Sequence, residues 1–272
     1  MLNATRALKL HGESAPLLPR VPQLEPLYQW GMEPRQGQFI EIAGRPGSQK
    51  SGFVLFWVAQ MGLPTLYFSA DMTPMEVVTR LAAMETGEDS ASISRRIDAG
   101  AASEYERALM SSQIEFAFGQ PITWVDIMAH IDLWVEVNNS YPPIIVIDNL
   151  MDIEGCEGDY QAQTQAMQDL TGLCRDTGST VIVLHHASDK GDSMVGAPPA
   201  RKEIKNGLAE KPQLVLTVAL STEIGAELRV AIVKQRSGRS DPAARSYVRL
   251  KARPELCRFE PGPREWYARL HD

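Results

Sequence analysis

Short apolar runs and stretches with apolar positions three or four apart alternate along this chain, the pattern of strands separated by helices. Residues 39–43, 65–70, 121–125, 144–148 and 180–184 read as strands. The run Ile144-Ile-Val-Ile-Asp148 has four consecutive β-branched residues, which places it in a sheet covered on both faces. Helices are expected after Lys50, from Pro74 to about residue 85, behind an N-cap at Asp126 with Ile127, Ile131, Trp134 and Val135 on one face, and over 161–175. Residues 87–119, including 104–114, read as helices and loops with polar faces. Further on, 213–220 and 227–233 read as two strands, 247–252 and 257–260 as a closing hairpin, and 264–272 as a tail. The pattern predicts an α/β fold: a mostly parallel, twisted sheet flanked by helices, with antiparallel C-terminal strands. Residues 1–12 suit a short amphipathic helix, and Pro16, Pro19, Pro22 and Pro26 favour an extended stretch after it. Residues 1–30 therefore read as an arm, packed on a neighbouring subunit or frayed, and 31–272 as one domain.

Between the first strand and first long helix lies Gly44-Arg45-Pro46-Gly47-Ser48-Gln49-Lys50-Ser51. It fits the phosphate-binding pattern G-x-x-x-x-G-K-[ST], except that Gln49 stands where the second glycine belongs. Glycines let successive backbone N–H groups curl round a phosphate while the helix N-terminus adds partial positive charge. Lys50 supplies a full charge for the β and γ phosphates, and Ser51 a hydroxyl for Mg²⁺. An ordinary strand-to-helix turn is the competing reading.

The acids that follow strands sharpen the choice. Asp71, after 65–70, falls at the ligand crevice of an open sheet, where a carboxylate can orient or deprotonate water; an N-cap role is the alternative. Asp148 ends the most apolar strand, where a nucleotide site keeps the acid that holds the Mg²⁺ water shell. His185 and His186 point to opposite faces of their strand, so one is expected at the γ-phosphate and the other packed. Lys190, Arg201, Lys202 and Lys205 form a loop with a basic stem, suited to the phosphates of single-stranded DNA or to plain solvation. Lys234 and Arg236 are two apart on a strand and can address one phosphate.

Charge and cysteine content narrow the setting. The formal charge is −7, which argues against a whole-surface coat for nucleic acid. From residue 201 onward, however, 15 Lys and Arg face 9 Asp and Glu, leaving 12 against 25 in the rest, so positive charge gathers at the C-terminal end. Cys156, Cys174 and Cys257 lack metal-ligand spacing and read as reduced thiols. No apolar run suits a membrane span or signal peptide, so the chain reads as soluble and intracellular.

Taken together, Ala43-Gly-Arg-Pro-Gly-Ser-Gln-Lys-Ser51, Phe68-Ser-Ala-Asp-Met72, Ile145-Val-Ile-Asp-Asn149, Val181-Ile-Val-Leu-His-His186 and Lys234-Gln-Arg-Ser-Gly238 resemble the RecA-like motor domain of DnaB-type replicative helicases, in the family's order. The resemblance implies a RecA-like P-loop NTPase core, an ATP-dependent helicase that forms a homo-oligomeric ring, expected as a hexamer, on single-stranded DNA in replication, with ATP and Mg²⁺ as cofactors. It aligns Asp71 with the family's catalytic glutamate, Asp148 with its Mg²⁺-linked acid and His186 with the glutamine that couples γ-phosphate to DNA. Lys234 and Arg236 align with the basic pair offered to the neighbour's nucleotide, Arg236 as the arginine finger. The family's N-terminal, primase-contacting domain has no counterpart in the sequence. Two other readings share these motifs: an accessory ATPase of plasmid replication or recombination that does not unwind processively, and a nucleotide- and DNA-binding ring with little hydrolysis.

Overall fold

The computed structural model describes residues 15–188, 196–223, 225–236 and 238–263. Among the described residues nine strands form one sheet: β1 (Phe39–Gly44), β2 (Thr65–Ser69), β3 (Ile114–Phe118), β4 (Ile144–Asp148), β5 (Thr180–His186), β6 (Leu214–Ser221), β7 (Glu227–Gln235), β8 (Val248–Arg253) and β9 (Arg258–Pro261). Their spatial order is β3-β2-β4-β5-β1-β6-β7-β8-β9. The six strands from β3 to β6 in that order run parallel, and β6 to β9 pair antiparallel. That is the α/β class expected, with β1 at its centre, buried on both sides as an apolar parallel strand must be.

Seven α-helices of the described residues accompany the sheet: α1 (Glu25–Trp30), α2 (Lys50–Met61), α3 (Pro74–Thr86), α4 (Ser90–Asp98), α5 (Ser103–Leu109), α6 (Trp124–Asn138) and α7 (Tyr160–Thr177). The two faces of the pleat feed separate cores. Ile40, Ile42, Ile144 and Val146 point to one side, against Phe53, Val54 and Trp57 of α2. Phe39, Phe68, Ile145 and Ile147 point to the other, against Ile127, Ile131 and Trp134 of α6 and Met167 and Leu170 of α7. At about 25 cal/mol per Å² these faces supply the main folding force and hold the strand ends in register.

Three expectations need correction. The third strand is Ile114–Phe118, not 121–125. Its edge position leaves it half-buried, so its apolar signal is weak, while Ile122 makes only an isolated bridge to Ile153. Thr123, not Asp126, caps α6; its hydroxyl accepts from the Asp126 N–H at 3.0 Å. Residues 15–30 are not an appendage, because Leu18, Val21, Leu24, Leu27, Tyr28 and Trp30 join the core. Pro22 and Pro26, expected in an extended stretch, instead open a 3₁₀ turn at Pro22–Leu24 and the first turn of α1. The helix expected over 1–12 and the tail 264–272 lie outside the described residues.

All three cysteines are buried free thiols, and burial pushes Cys156 and Cys174 up to about 11 and Cys257 up to about 12. Among the described residues, no helix is long and apolar enough to cross a membrane.

Candidate nucleotide site

Parallel strands end along one rim, and the register sets what meets there. Gly44 pairs with His186, and Ser69 with Asp148, so the ends of β1, β5, β2 and β4 converge beside the N-terminus of α2. Crevices at such carboxyl ends are the usual ligand sites of open α/β sheets.

The loop entering α2 has the shape its glycines allow. A Cβ on Gly44 would lie 2.3 Å from Ser48 Oγ, so this close approach excludes a side chain, and Gly47 has φ +74°. Gln49 takes φ 64° and ψ 25°, the left-handed conformation for which glycine is the easier residue. Ser48 Oγ is buried without a hydrogen-bond partner, an orphan polar atom that fits a phosphate cradle.

Lys50 opens α2 and is nearly buried, and burial lowers its pKa against the opposing pull of Asp148 and Asp71. Its Nζ lies 3.5 Å from His186 Nδ1. Burial first, then the Lys50 and Lys205 charges, pushes His186 down to about 4, so a neutral imidazole faces the ammonium near neutral pH. His185, on the opposite face, is fully buried and bonded to Glu41 at 2.9 Å, which matches the division of labour expected for adjacent strand residues.

Asp148 is 1% exposed; its Oδ1 accepts from Ser51 Oγ at 3.1 Å and its Oδ2 from Tyr67 OH at 2.8 Å. Burial raises its pKa to about 6, with the two hydroxyl bonds and Lys50 opposing. Ser51 and Asp148 therefore form a pair of oxygen ligands that fits Mg²⁺, an ion that takes few protein ligands and completes its shell with phosphate and water. Among the described residues no group of three His, Cys, Asp or Glu side chains converges on a metal position.

A cleft of about 720 Å³ opens onto this rim, lined by Pro46, Asp71, Asn149, Asp152, His186 and Lys205 among others. Asp71 is not a helix cap: Thr73 caps α3 in a capping box with Glu76, and Asp71 Oδ2 instead accepts from Asn149 Nδ2 at 3.1 Å. Lys205, expected to meet DNA, stands on the wall of this cleft.

The other basic residues lie elsewhere. Arg45 turns out of the phosphate loop: its guanidinium donates to Ser188 O at 3.1 Å and pairs with the buried Glu203 at 3.1 Å. Arg201 and Lys202 line a second cavity, of about 810 Å³, with Glu203, Glu210 and Arg245. It is larger but holds no phosphate-loop residue, so the chemistry belongs to the smaller cleft. Lys234 Nζ donates to the carbonyls of Ala209 and Glu210 at 2.9 and 2.6 Å, and Arg236 is exposed beyond β7. Lys190 lies outside the described residues.

Sequence reasoning missed Tyr67, Asn149, Asp152 and Glu203. Tyr67 had a usable signal, since period two puts it on the face of Ser69, the residue paired with Asp148. Glu203 had none, because only the chain reversal between β5 and β6 brings it to Arg45.

Comparison with known proteins speaks to the family and the fold. Residues 6–192 match the model of the AAA domain family. The chain is 29% identical to the Gene 65 protein of Mycobacterium phage L5 over 264 residues, covering 92% of this chain and 95% of that protein. Against the Gene 65 protein of Mycobacterium phage D29 it is 28% identical over 222 residues, covering 78% and 94%. Among solved structures, a DnaB-like replicative helicase studied with its primase superposes with a TM-score of 0.72 at 20% identity, over 84% of this chain and 59% of that one. A second helicase's ATPase domain superposes with a TM-score of 0.76 at 18% identity, over 95% and 96%. At these identities the likeness shows a shared fold, the ATPase domain of DnaB-like helicases.

Proposed function

The chain belongs to the AAA domain family, matched over residues 6–192, and on that premise we propose that it is an ATP-dependent DNA helicase or translocase. It acts on single-stranded DNA in replication as a homo-oligomeric ring, a hexamer, in the cytoplasm of a bacterial or phage-infected cell. One observation carries this reading: Lys50, Ser51, Asp148, Asp71 and His186, spread over 137 positions of sequence, meet on one rim of the sheet. The DnaB-like solved relatives support the ring and its substrate by fold.

In this reading Gly44, Arg45, Pro46, Gly47, Ser48, Gln49, Lys50 and Ser51 form the loop that takes the triphosphate, with backbone N–H groups and the α2 N-terminus aimed at its charge. Lys50 leaves His186 for the γ-phosphate, and the imidazole, kept neutral, is free to accept a hydrogen bond and report that the site is filled. Asp71 orients the attacking water. Ser51 and Asp148 would hold Mg²⁺, which when bound would supply positive charge to the triphosphate. Arg236, exposed and unused at its own site, is offered to the nucleotide of the next protomer, with Lys234 beside it. Arg201, Lys202, Lys205 and Lys190 contact the DNA backbone.

The left-handed backbone at Gln49 favours one rival, a ring that binds but hardly hydrolyses. ATP hydrolysis with and without single-stranded DNA, together with strand displacement on a forked duplex, decides between them. Stimulated turnover with displacement is expected. Tight nucleotide binding without turnover would overturn the motor reading, and turnover without displacement would reduce it to an accessory ATPase.

A further inference from the structure

Asp71 poses a problem that the nucleotide-binding residues do not solve. It follows β2 on an exposed bend, outside any helix or strand, and a carboxylate there has several rotamers open to it. A group that orients water must be held in one place. We propose that Asn149 is the positioning residue that holds it. This rests on the assignment of Asp71 to the water.

Five hydrogen bonds make the arrangement rigid. The Ala70 N–H donates to the Asp148 carbonyl at 3.1 Å, which ties the end of β2 to that of β4 and fixes the spacing of Asp71 and Asn149. Asn149 is 2% exposed, and its Oδ1 accepts from the Met151 N–H at 2.9 Å. That bond commits the oxygen end of the planar amide, so Nδ2 is left for Asp71 Oδ2 at 3.1 Å. The backbone N–H of Asn149 in turn donates to Asp152 Oδ2 at 3.2 Å, and Asp152 Oδ1 accepts from Gln120 Nε2 at 2.9 Å.

The chemistry explains why an amide suits this place. A neutral N–H donor fixes one carboxylate oxygen and leaves the net charge of the group in place, whereas a lysine or arginine would cancel it. Asp71 lines the cleft, and no hydrogen bond ties its Oδ1 among the described residues. An aspartate at 149 would keep the acceptor for Met151 but put carboxylate against carboxylate. The side chain at 149 must donate on one side and accept on the other, and asparagine does both.

The test is a double-mutant cycle in the full-length chain, read as steady-state ATP turnover, nucleotide affinity and melting temperature. Asn149→Ala is expected to lower kcat about 10- to 100-fold with nucleotide affinity within about threefold. Asn149→Asp, which keeps the acceptor for Met151, is expected to fall at least as far in kcat, with a lowered melting temperature because a carboxylate is then buried against Asp71. In an Asp71→Ala background, Asn149→Ala should cost less than about twofold more, because its target is gone. Independent, multiplying losses would overturn the proposal, as would an Asn149→Asp variant with wild-type kcat. If Asp71→Ala alone left turnover intact, the role of Asp71 itself would fall and Asn149 with it, a result separable from the first two.

Discussion

The rim of β1, β2, β4 and β5 and the basic segments around Arg201 and Lys234 are built on opposite principles. At the rim, functional side chains stand on the ends of buried parallel strands, and their partners are each other: Lys50 with His186, Ser51 and Tyr67 with Asp148, Asn149 with Asp71. In the basic segments the groups rest on 3₁₀ turns and the end of an antiparallel strand, where Lys234 is held by two backbone carbonyls and Arg236 is exposed. A site for a small, highly charged ligand can be complete within one chain. A surface that meets a polymer or a second protomer is complete only when that partner arrives, so in one chain its cations find temporary work.

Lys50→Ala tests the first half of this contrast most severely. It removes the only full positive charge the phosphate loop aims at its ligand, because Arg45 is tied to Glu203. Loss of ATP binding, and of all turnover with it, is expected in a fluorescent-nucleotide titration. Retained binding would mean that the loop serves another purpose.

Arg236→Ala tests the second half. The side chain touches no group of its own nucleotide cleft, so nucleotide binding should survive while turnover drops about 10³- to 10⁵-fold, the worth of an arginine finger. Mixed with Asp71→Ala subunits, it should recover part of the activity, since some interfaces then pair an intact acid with an intact arginine. No recovery in mixtures shown to co-assemble would return Arg236 to a role within its own chain.

The same contrast decides what could be read from sequence. The loop 44–51, Asp148 and the apolar strand before it were legible because burial and phosphate chemistry impose local patterns. Strand period set His185 and His186 on opposite faces without choosing between them, the resemblance pointed to His186, and the structure puts His186 beside Lys50 and His185 in the core. Asn149 was visible as a neighbour of Asp148 but not as a donor to Asp71, because that bond depends on β2 and β4 lying side by side in register. Residues 15–30 were misread for a similar reason: their apolar positions have no strong period, and only the surface left by β8, β9 and α2 gives them a place to bury. The edge strand β3 hid behind its own half-exposure.

Function and stability conflict at Asp148, which gives a pH test of intermediate size. Its folded pKa of about 6 lies above the ordinary value of 3.8, so its contribution to stability is present below 3.8 and is lost as pH rises through about 6. At one pKa unit per 1.36 kcal/mol, the loss at pH 7.5 is about 3 kcal/mol in the nucleotide-free protein. His186 runs the other way: lowered to about 4 from 6.5, it stabilises above 6.5 and loses that contribution as pH falls through about 4. Denaturant midpoints of the wild type should therefore change little between pH 4 and 6.5. Asp148→Asn should show a steady rise over that window, gain about 1 to 3 kcal/mol over wild type at pH 7.5, and lose Mg²⁺-dependent nucleotide binding. A wild-type profile as steep as the variant's would mean that Asp148 is not the strained group.

The smallest effect belongs to Gln49, where the rim's rigidity has its own cost. A side chain at φ 64° carries roughly 1 to 2 kcal/mol of backbone strain, which glycine would relieve while giving back roughly 0.4 to 1 kcal/mol through a freer unfolded chain. Gln49→Gly should thus stabilise the protein by about 0.5 to 1 kcal/mol, a rise of a few degrees in melting temperature for a chain of this size. Because the backbone already holds the left-handed turn with glutamine in place, the N–H groups facing the phosphate should not move, and nucleotide affinity should stay within about threefold. A large gain in affinity would show that the glutamine side chain obstructs the loop, and the phosphate site would then be less complete in one chain than its buried geometry implies.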